Sequence, residues 1–293
     1  MVGLDIRDTT VVAVTIDENG AVTRRTEAAG PDLVAASVSA LEGVTPASGG
    51  PGSLGIAASS PDAPVLAGVR KAVTSRYGSL SSEHVIGSGT AAALAETWIG
   101  ASRGVRDVVF FSVAEHATAG LIRDGRPVTG AHGRAPAVAW MSLNPVERED
   151  YRKAGCVEAE VAAAGIVRRL IWRIKAGDRS RVQDMVNGDL AAITVDRVFD
   201  AARDKDGVSI SVMRDTAKYL GMAAANLVAI GDPEILVLGG IMASAADLLL
   251  DPIRAELARR LPGPMNEALK VATATLNADA AAIGAARHAA AQP

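Results

Sequence analysis

The strongest constraint on the fold is a pattern that occurs twice. Three short apolar strands stand in a row, and helices alternating with strands follow them. In the first half, residues 2–6 and 11–16 read as strands. Asp17-Glu18-Asn19-Gly20 is the turn between the second and third, with Asn-Gly at its tip, a strong hairpin signal. Residues 21–26 form the third strand. Helical periodicity over 32–41, a Gly, Pro and Ser-rich loop over 45–53, a buried strand at 54–58, a helix at 66–77 and a strand at 84–87 complete the half. An Ala-rich helix begins at Gly89 within 89–104. The second block opens with strands at 105–113, 119–122 and 126–128, the last two flanking Arg123-Asp124-Gly125. One long helix is predicted over 158–175, and further helices over 194–203 and 208–230. Strand 235–238, helix 248–261, strand 271–276 and helix 279–290 close the chain. The repetition predicts an α/β chain of two related halves.

Composition narrows the partners. The 293 residues suffice for two domains of ordinary size. The core must be Ala, Val, Leu and Ile, because 49% of the chain is hydrophobic but only 3% aromatic. With 30 basic and 33 acidic residues, no clustered Lys and Arg surface for nucleic acid is present. The short pairs Arg168-Arg169 and Arg259-Arg260 read as solvated helix faces. Cys156 is the only cysteine, which excludes an intramolecular disulfide and suits a reducing compartment. Asp5 interrupts the first apolar run too early for a signal peptide, and no apolar run approaches a membrane span. The expectation is a soluble cytoplasmic protein with no membrane and no nucleic-acid partner.

Three segments carry a family resemblance. Gly130-Ala131-His132-Gly133 is followed by Met141. Asn226-Leu227-Val228 leads to Asp232-Pro233-Glu234-Ile235-Leu236-Val237-Leu238-Gly239-Gly240. The chain closes through Asp279-Ala280-Ala281-Ala282-Ile283-Gly284-Ala285-Ala286. In this order they resemble the ROK family (repressor, open reading frame, kinase), and the resemblance covers nearly the whole chain. It implies the two-lobed actin-like ATPase fold of ribonuclease H-like type, with duplicated βββαβαβα domains around a cleft for ATP and sugar. The implied lobes are 1–103 and 104–278, with the closing helix 279–293 returning to the first.

The same resemblance exposes what is missing. The segment from Val85 to Glu96 is similar to the family's catalytic run Asn-Asp-Ala-Asn-Ala-Ala-Ala-Leu, whose Asp is the general base. Here Gly87 and Ser88 replace the Asn and the Asp. A serine near neutral pH cannot hold a proton taken from a sugar hydroxyl. The family's first phosphate loop, Asp-Ile-Gly-Gly-Thr-Lys, becomes Asp5-Ile6-Arg7-Asp8-Thr9-Thr10, retaining only Asp5, Ile6 and Thr9. Glycines there admit phosphate to backbone amides, whereas Asp8 repels it. Asp5 and Asp8 are expected to form a polar hairpin end in preference to a magnesium site. The second loop, Gly-Thr-Gly-Ile-Gly-Gly-Gly, becomes Ala114-Glu115-His116-Ala117-Thr118-Ala119-Gly120, with only Gly120 kept. His116 reads as a loop histidine at the cleft edge with no identifiable partner. The sugar-binding Glu is Ala137 within Ala137-Val138-Ala139-Trp140, and the sugar-binding Asn is not found in the shortened region 61–80. Glu158 matches the final sugar-binding Glu and equally reads as a helix N-terminal acid.

The family's structural zinc takes one His and a Cys-x-Cys-Gly-x-x-Gly-Cys run. The matching positions are Trp140, Glu149, Tyr151 and Cys156, so no zinc is expected. Trp140 and Tyr151 are expected to replace the metal by apolar packing. Asp5, Thr9, Gly120, Gly239 and Gly240 remain as vestigial cofactor-binding positions and Glu158 as a vestigial sugar contact. Losses in every functional part imply a non-catalytic relative, a pseudokinase without cofactor. The resemblance also implies a homodimer and a cleft open to another small molecule or a protein. The alternative is an ATP- and magnesium-dependent sugar kinase with a displaced base, for which Asp62 is the first candidate. A repressor role is less expected, because a first strand at Val2 leaves no room for a helix-turn-helix domain ahead of it.

Overall fold

The computed structural model describes residues 1–46, 51–78 and 82–291. The first half contains β1 (Val2–Ile6), β2 (Thr10–Ile16), β3 (Val22–Ala29), α1 (Leu33–Val44), β4 (Ser53–Ala58), α2 (Val65–Tyr77), β5 (Ser82–Gly87) and α3 (Ser88–Trp98). Its sheet runs β3-β2-β1-β4-β5. β1 pairs antiparallel with β2, Leu4 facing Ala13, and parallel with β4, Leu4 facing Ile56. The second half begins with β6 (Val108–Val113), β7 (Ala117–Arg123) and β8 (Arg126–Pro127). It continues with α4 (Glu149–Ala154), α5 (Cys156–Val161), α6 (Ala163–Lys175), α7 (Arg181–Met185), α8 (Val195–Arg203) and α9 (Gly207–Gly231). Then come β9 (Ile235–Gly240), α10 (Ile241–Ser244), α11 (Ala246–Arg260), α12 (Gly263–Ala268), β10 (Lys270–Thr273) and α13 (Ala280–Ala290). The second sheet, taken from its hairpin edge, runs β8-β7-β6-β9-β10, the same order as the first. The repeated order bears out the two related halves read from the pattern, and it is the two-lobed actin-like architecture that the family resemblance implies.

Local chemistry accounts for the corners. Asp124 and Gly125 both adopt positive φ, 51° and 74°, which suits a tight two-residue hairpin between β7 and β8. At the first hairpin only Gly20 does so, and the Asp17 carboxylate closes the longer turn by accepting from the Asn19 and Ala21 amides. Asp32 caps α1 by accepting from Val34 and Ala35.

Three main apolar layers form the core. One lies between the first sheet and α1 and α2, around Leu4, Leu41 and Ile56. A second lies between the two sheets, where Val12 and Val14 meet Phe110, Val237 and Ile283. The largest backs the second sheet against α6, α8, α9 and α11. The closing helix α13 packs on α3, β1 and β4. The core is aliphatic, and Phe111 is its largest fully buried side chain.

The helix predicted over 158–175 is broken. Ala162 is extended (φ −65°, ψ 159°), and the chain turns a corner between α5 and α6. The corner is tight: a Cβ on Gly165 would lie 2.3 Å from the Ala159 carbonyl oxygen. Ala and Gly tolerate helix and corner alike, so periodicity passes through the break unseen. β6 also starts at Val108 and not at 105, because the amides of Arg106 and Asp107 face the Glu234 carboxylate, at 3.3 and 3.4 Å. In the expected loop 45–53, Ser53 already belongs to β4, while residues 47–50 lie outside the described residues. The same holds for residues 79–81, at the end of the shortened region, and for 292–293.

Candidate functional site

Ser88 is the first residue of α3. The preceding Gly87 is extended (φ −61°, ψ 135°), and no side chain caps the helix. The start of α3 therefore presents unsatisfied amides to the cleft. Ser88 and Thr90 line a cavity of about 170 Å³ with Ser59 and Ser60, Thr118 of β7, and the segment from Gly133 to Trp140. Ala137 is part of that wall. Asp62 faces Arg134, at 2.5 Å, in an exposed ion pair at the mouth.

The turn between β1 and β2 and the turn between β6 and β7 are joined by a charged clasp. His116 sits in the turn between β6 and β7. Its Nε2 lies 2.6 Å from Asp8 Oδ1, in the turn between β1 and β2. Its Nδ1 lies 3.2 Å from Glu158 Oε1, near the start of α5. The second oxygen of Glu158 accepts from the Ala117 amide, at 3.0 Å. The expectation of an unpartnered histidine is thus corrected: both ring nitrogens face carboxylates. The hydrogen bond to Glu158, followed by that to Asp8, outweighs partial burial and pushes the imidazole up to about 9. The ring is an imidazolium at neutral pH, and both of its nitrogens donate. The partners lie 108 and 42 positions away in the chain, so no local motif announced them.

Asp5 is buried at 3% exposure, and its carboxylate accepts from Arg7 Nε at 2.7 Å. Burial raises its pKa above the ordinary value, and the Arg7 charge opposes that rise. A second Arg7 nitrogen donates to the Ala278 carbonyl, beside α13. Thr9 is exposed, and its carbonyl accepts from Gly30. The retained glycines have packing reasons. A Cβ on Gly120 would lie 2.5 Å from the Gly89 carbonyl oxygen, where β7 crosses α3. Gly239 meets Phe110 and Ser112 of β6 closely. Gly240 has φ 60°, and a Cβ there would lie 1.9 Å from the Val113 carbonyl oxygen.

The positions matching a zinc site have been reassigned. Trp140 is 60% exposed on a short 3-10 turn, which corrects the expectation that it packs into the loop. Glu149 pairs with Lys153 at the surface. Tyr151 and Cys156 are buried with Ala159. Tyr151 donates its hydroxyl to Glu160, at 2.5 Å, and burial together with that carboxylate pushes the phenol well above its ordinary range. Glu160 is 2% exposed and also accepts from Arg148 at 3.0 Å and Arg169 at 3.2 Å. Arg169 continues to the Thr216 hydroxyl. Arg148 and Arg168 both stack over Trp172. The Arg168-Arg169 pair is therefore no solvated face, since Arg169 keeps only 13% of its side chain exposed. These donors do not fit zinc: an indole offers no lone pair, and the phenol is engaged with Glu160. Among the described residues, no group of three His, Cys, Asp or Glu side chains is placed to hold a metal.

Comparison with known proteins follows the same outline. The ROK family model matches residues 86–292. The chain is 29% identical over 195 residues to a glucokinase of Halalkalibacterium halodurans, covering 66% of this chain and 59% of that enzyme. It is 29% identical over 162 residues to the Escherichia coli transcriptional dual regulator NagC, covering 55% of this chain and 38% of the regulator. Less than two thirds of either relative is thus spanned. Among solved structures, a ROK glucokinase from Streptomyces griseus, determined with glucose and AMPPNP, superposes with a TM-score of 0.84 at 25% identity over 100% of this chain and 99% of that one. With the family model lying across most of its length and the fold shared end to end, the chain belongs to the ROK family, as a homologue of its sugar kinases and repressors.

Proposed function

We propose that this chain is a non-catalytic, ligand-binding member of the family. The observation that carries the reading is the His116 clasp. Phosphoryl transfer needs donors arranged around a triphosphate and a base for the attacking hydroxyl. Here the two phosphate turns meet each other through His116 and Asp8. Arg7 neutralises Asp5, and Ser88 stands in the base position. These residues do not fit a magnesium-bound triphosphate, and no chemical step is derived through one. The reading includes a cytoplasmic homodimer; among the described residues no helix is long and apolar enough to cross a membrane.

The competing reading is an ATP-dependent hexose kinase, favoured by the glucokinase relatives. It needs a base near the sugar, and its first candidate, Asp62, is engaged with Arg134. Incubating the protein with ATP, magnesium and a hexose panel decides between them. No phosphosugar above a no-enzyme control is expected, and robust formation overturns the non-catalytic reading.

A further inference from the structure

We infer that the cavity at the start of α3 takes a small polyhydroxylated carboxylate, a sugar acid in preference to a neutral sugar. The inference rests on the non-catalytic reading and names the ligand class of the same site. Three observations carry it. First, α3 is eleven residues long, begins at Ser88 and lacks a side-chain cap. Its free amides and the roughly +0.5 charge of a helix N-terminus face the cavity and favour an anion. An aspartate in place of Ser88 would cancel that field, and a serine leaves it in force.

Second, Thr90 is only 3% exposed, lines the cavity, and its hydroxyl has no hydrogen-bond partner among the described residues. The hydroxyls of Ser88 and Thr118 on the same wall are likewise unpaired among the described residues. These hydroxyls open onto the cavity, Ser88 and Thr118 being only half-buried, so the wall offers donors and acceptors that match a ligand rich in hydroxyl or carboxylate oxygens. Third, among the described residues Arg134 is the only charged side chain on that wall, and no carboxylate belongs to it. Asp62 occupies Arg134 Nε, leaving the terminal guanidinium nitrogens to donate to a ligand. With its one cation already shared with Asp62, the site suits a monoanion better than a phosphate dianion. About 170 Å³ is room for a single molecule of roughly monosaccharide size.

The test is a thermal-shift and calorimetric titration of the full chain with hexonates and hexuronates, each beside its parent hexose and the corresponding hexose 6-phosphate. At least one sugar acid is expected to raise the melting temperature in a dose-dependent way and to bind at least tenfold tighter than its parent hexose. Ser88→Asp is expected to weaken that binding at least tenfold while folding normally, because an acid in the first turn of a helix is tolerated. Arg134→Gln, at an exposed site, is the second variant and is expected to weaken it as well. Equal or tighter binding of the parent hexose, tighter binding of the phosphosugar, or no binding by any sugar acid overturns the inference. Phosphosugar formation from ATP is read in a separate assay, and its appearance overturns the non-catalytic reading instead.

Discussion

His116 and Asp8 join the two halves of the molecule. The 2.6 Å contact links a turn of one sheet to a turn of the other, and Glu158 braces the ring from behind at 3.2 Å. The imidazole titrates near 9 in the folded chain against 6.5 for an ordinary histidine. A raised folded pKa contributes stability that is fully present below pH 6.5 and is lost as the pH rises through 9. Because Asp8 and part of the ring face solvent, the contribution is about 1–2 kcal/mol after screening. Urea denaturation from pH 6 to 10 should show this loss in the native chain and a flatter profile in His116→Gln. Identical profiles would mean that the clasp carries no stability.

The Glu160 cluster makes a second prediction. Removing one member of a buried ion pair leaves an uncompensated charge, so Glu160→Ala should cost about 3–5 kcal/mol. Tyr151→Phe loses one hydrogen bond to a carboxylate and should cost about 1–3 kcal/mol. If the cluster itself holds the segment 148–160, a strong chelator should leave the melting temperature unchanged. A drop on chelation, reversed by zinc, would refute this.

Much of the fold was legible in the sequence because strands and hairpins are local. Asp124-Gly125 marks its own turn, and β4 announces its burial by the continuous apolar run from Leu54 to Ala58. Ser88 stands out in the sequence, and the structure puts it at the start of α3 on the cavity wall. The site's wiring was not legible. His116 meets Asp8 across more than a third of the chain, and Arg169 meets Glu160 around the corner at Ala162. Charge partners brought together by tertiary packing leave no periodic trace, so a basic pair on a helix reads as solvated until its neighbours are known.

Asp206 concentrates four donors at the start of the longest helix. It accepts from the amides of Arg181 and Ser209 and from the hydroxyls of Ser180 and Ser209. Burial by itself would push this carboxyl up, but the hydrogen bonds outweigh it and hold the group below the usual carboxylate range. Its stabilisation is therefore present above pH 3.8 and lost as the pH falls through the lower folded value. Asp206→Ala should cost about 2–3 kcal/mol at neutral pH. Chemical denaturation at pH 7 and pH 3 checks both size and sign: the difference between variant and native chain should shrink at the lower pH.

Restoring one lost group should not restore catalysis. Ser88→Asp puts a carboxylate at the start of α3, yet His116 still bridges the turns of the two halves and Ala137 offers no polar group. The variant should form no more phosphosugar than the parent chain in a coupled assay with ATP, magnesium and glucose. Robust turnover would mean that Ser88 alone silenced a competent site.

Gly240 separates fold from function among the retained positions. Its φ of 60° disfavours any residue with a side chain, and a Cβ would collide with the Val113 carbonyl where β9 runs beside β6. If the Gly239-Gly240 pair survives for packing alone, Gly240→Ala should cost about 2–4 kcal/mol from strain and overpacking combined. On that reading the loss should be the same with and without added ATP. Thermal melts of both chains, each with and without millimolar ATP and magnesium, make the comparison. If ATP stabilises the native chain and that shift disappears in the variant, the pair still serves a nucleotide, and the glycines are more than a packing requirement.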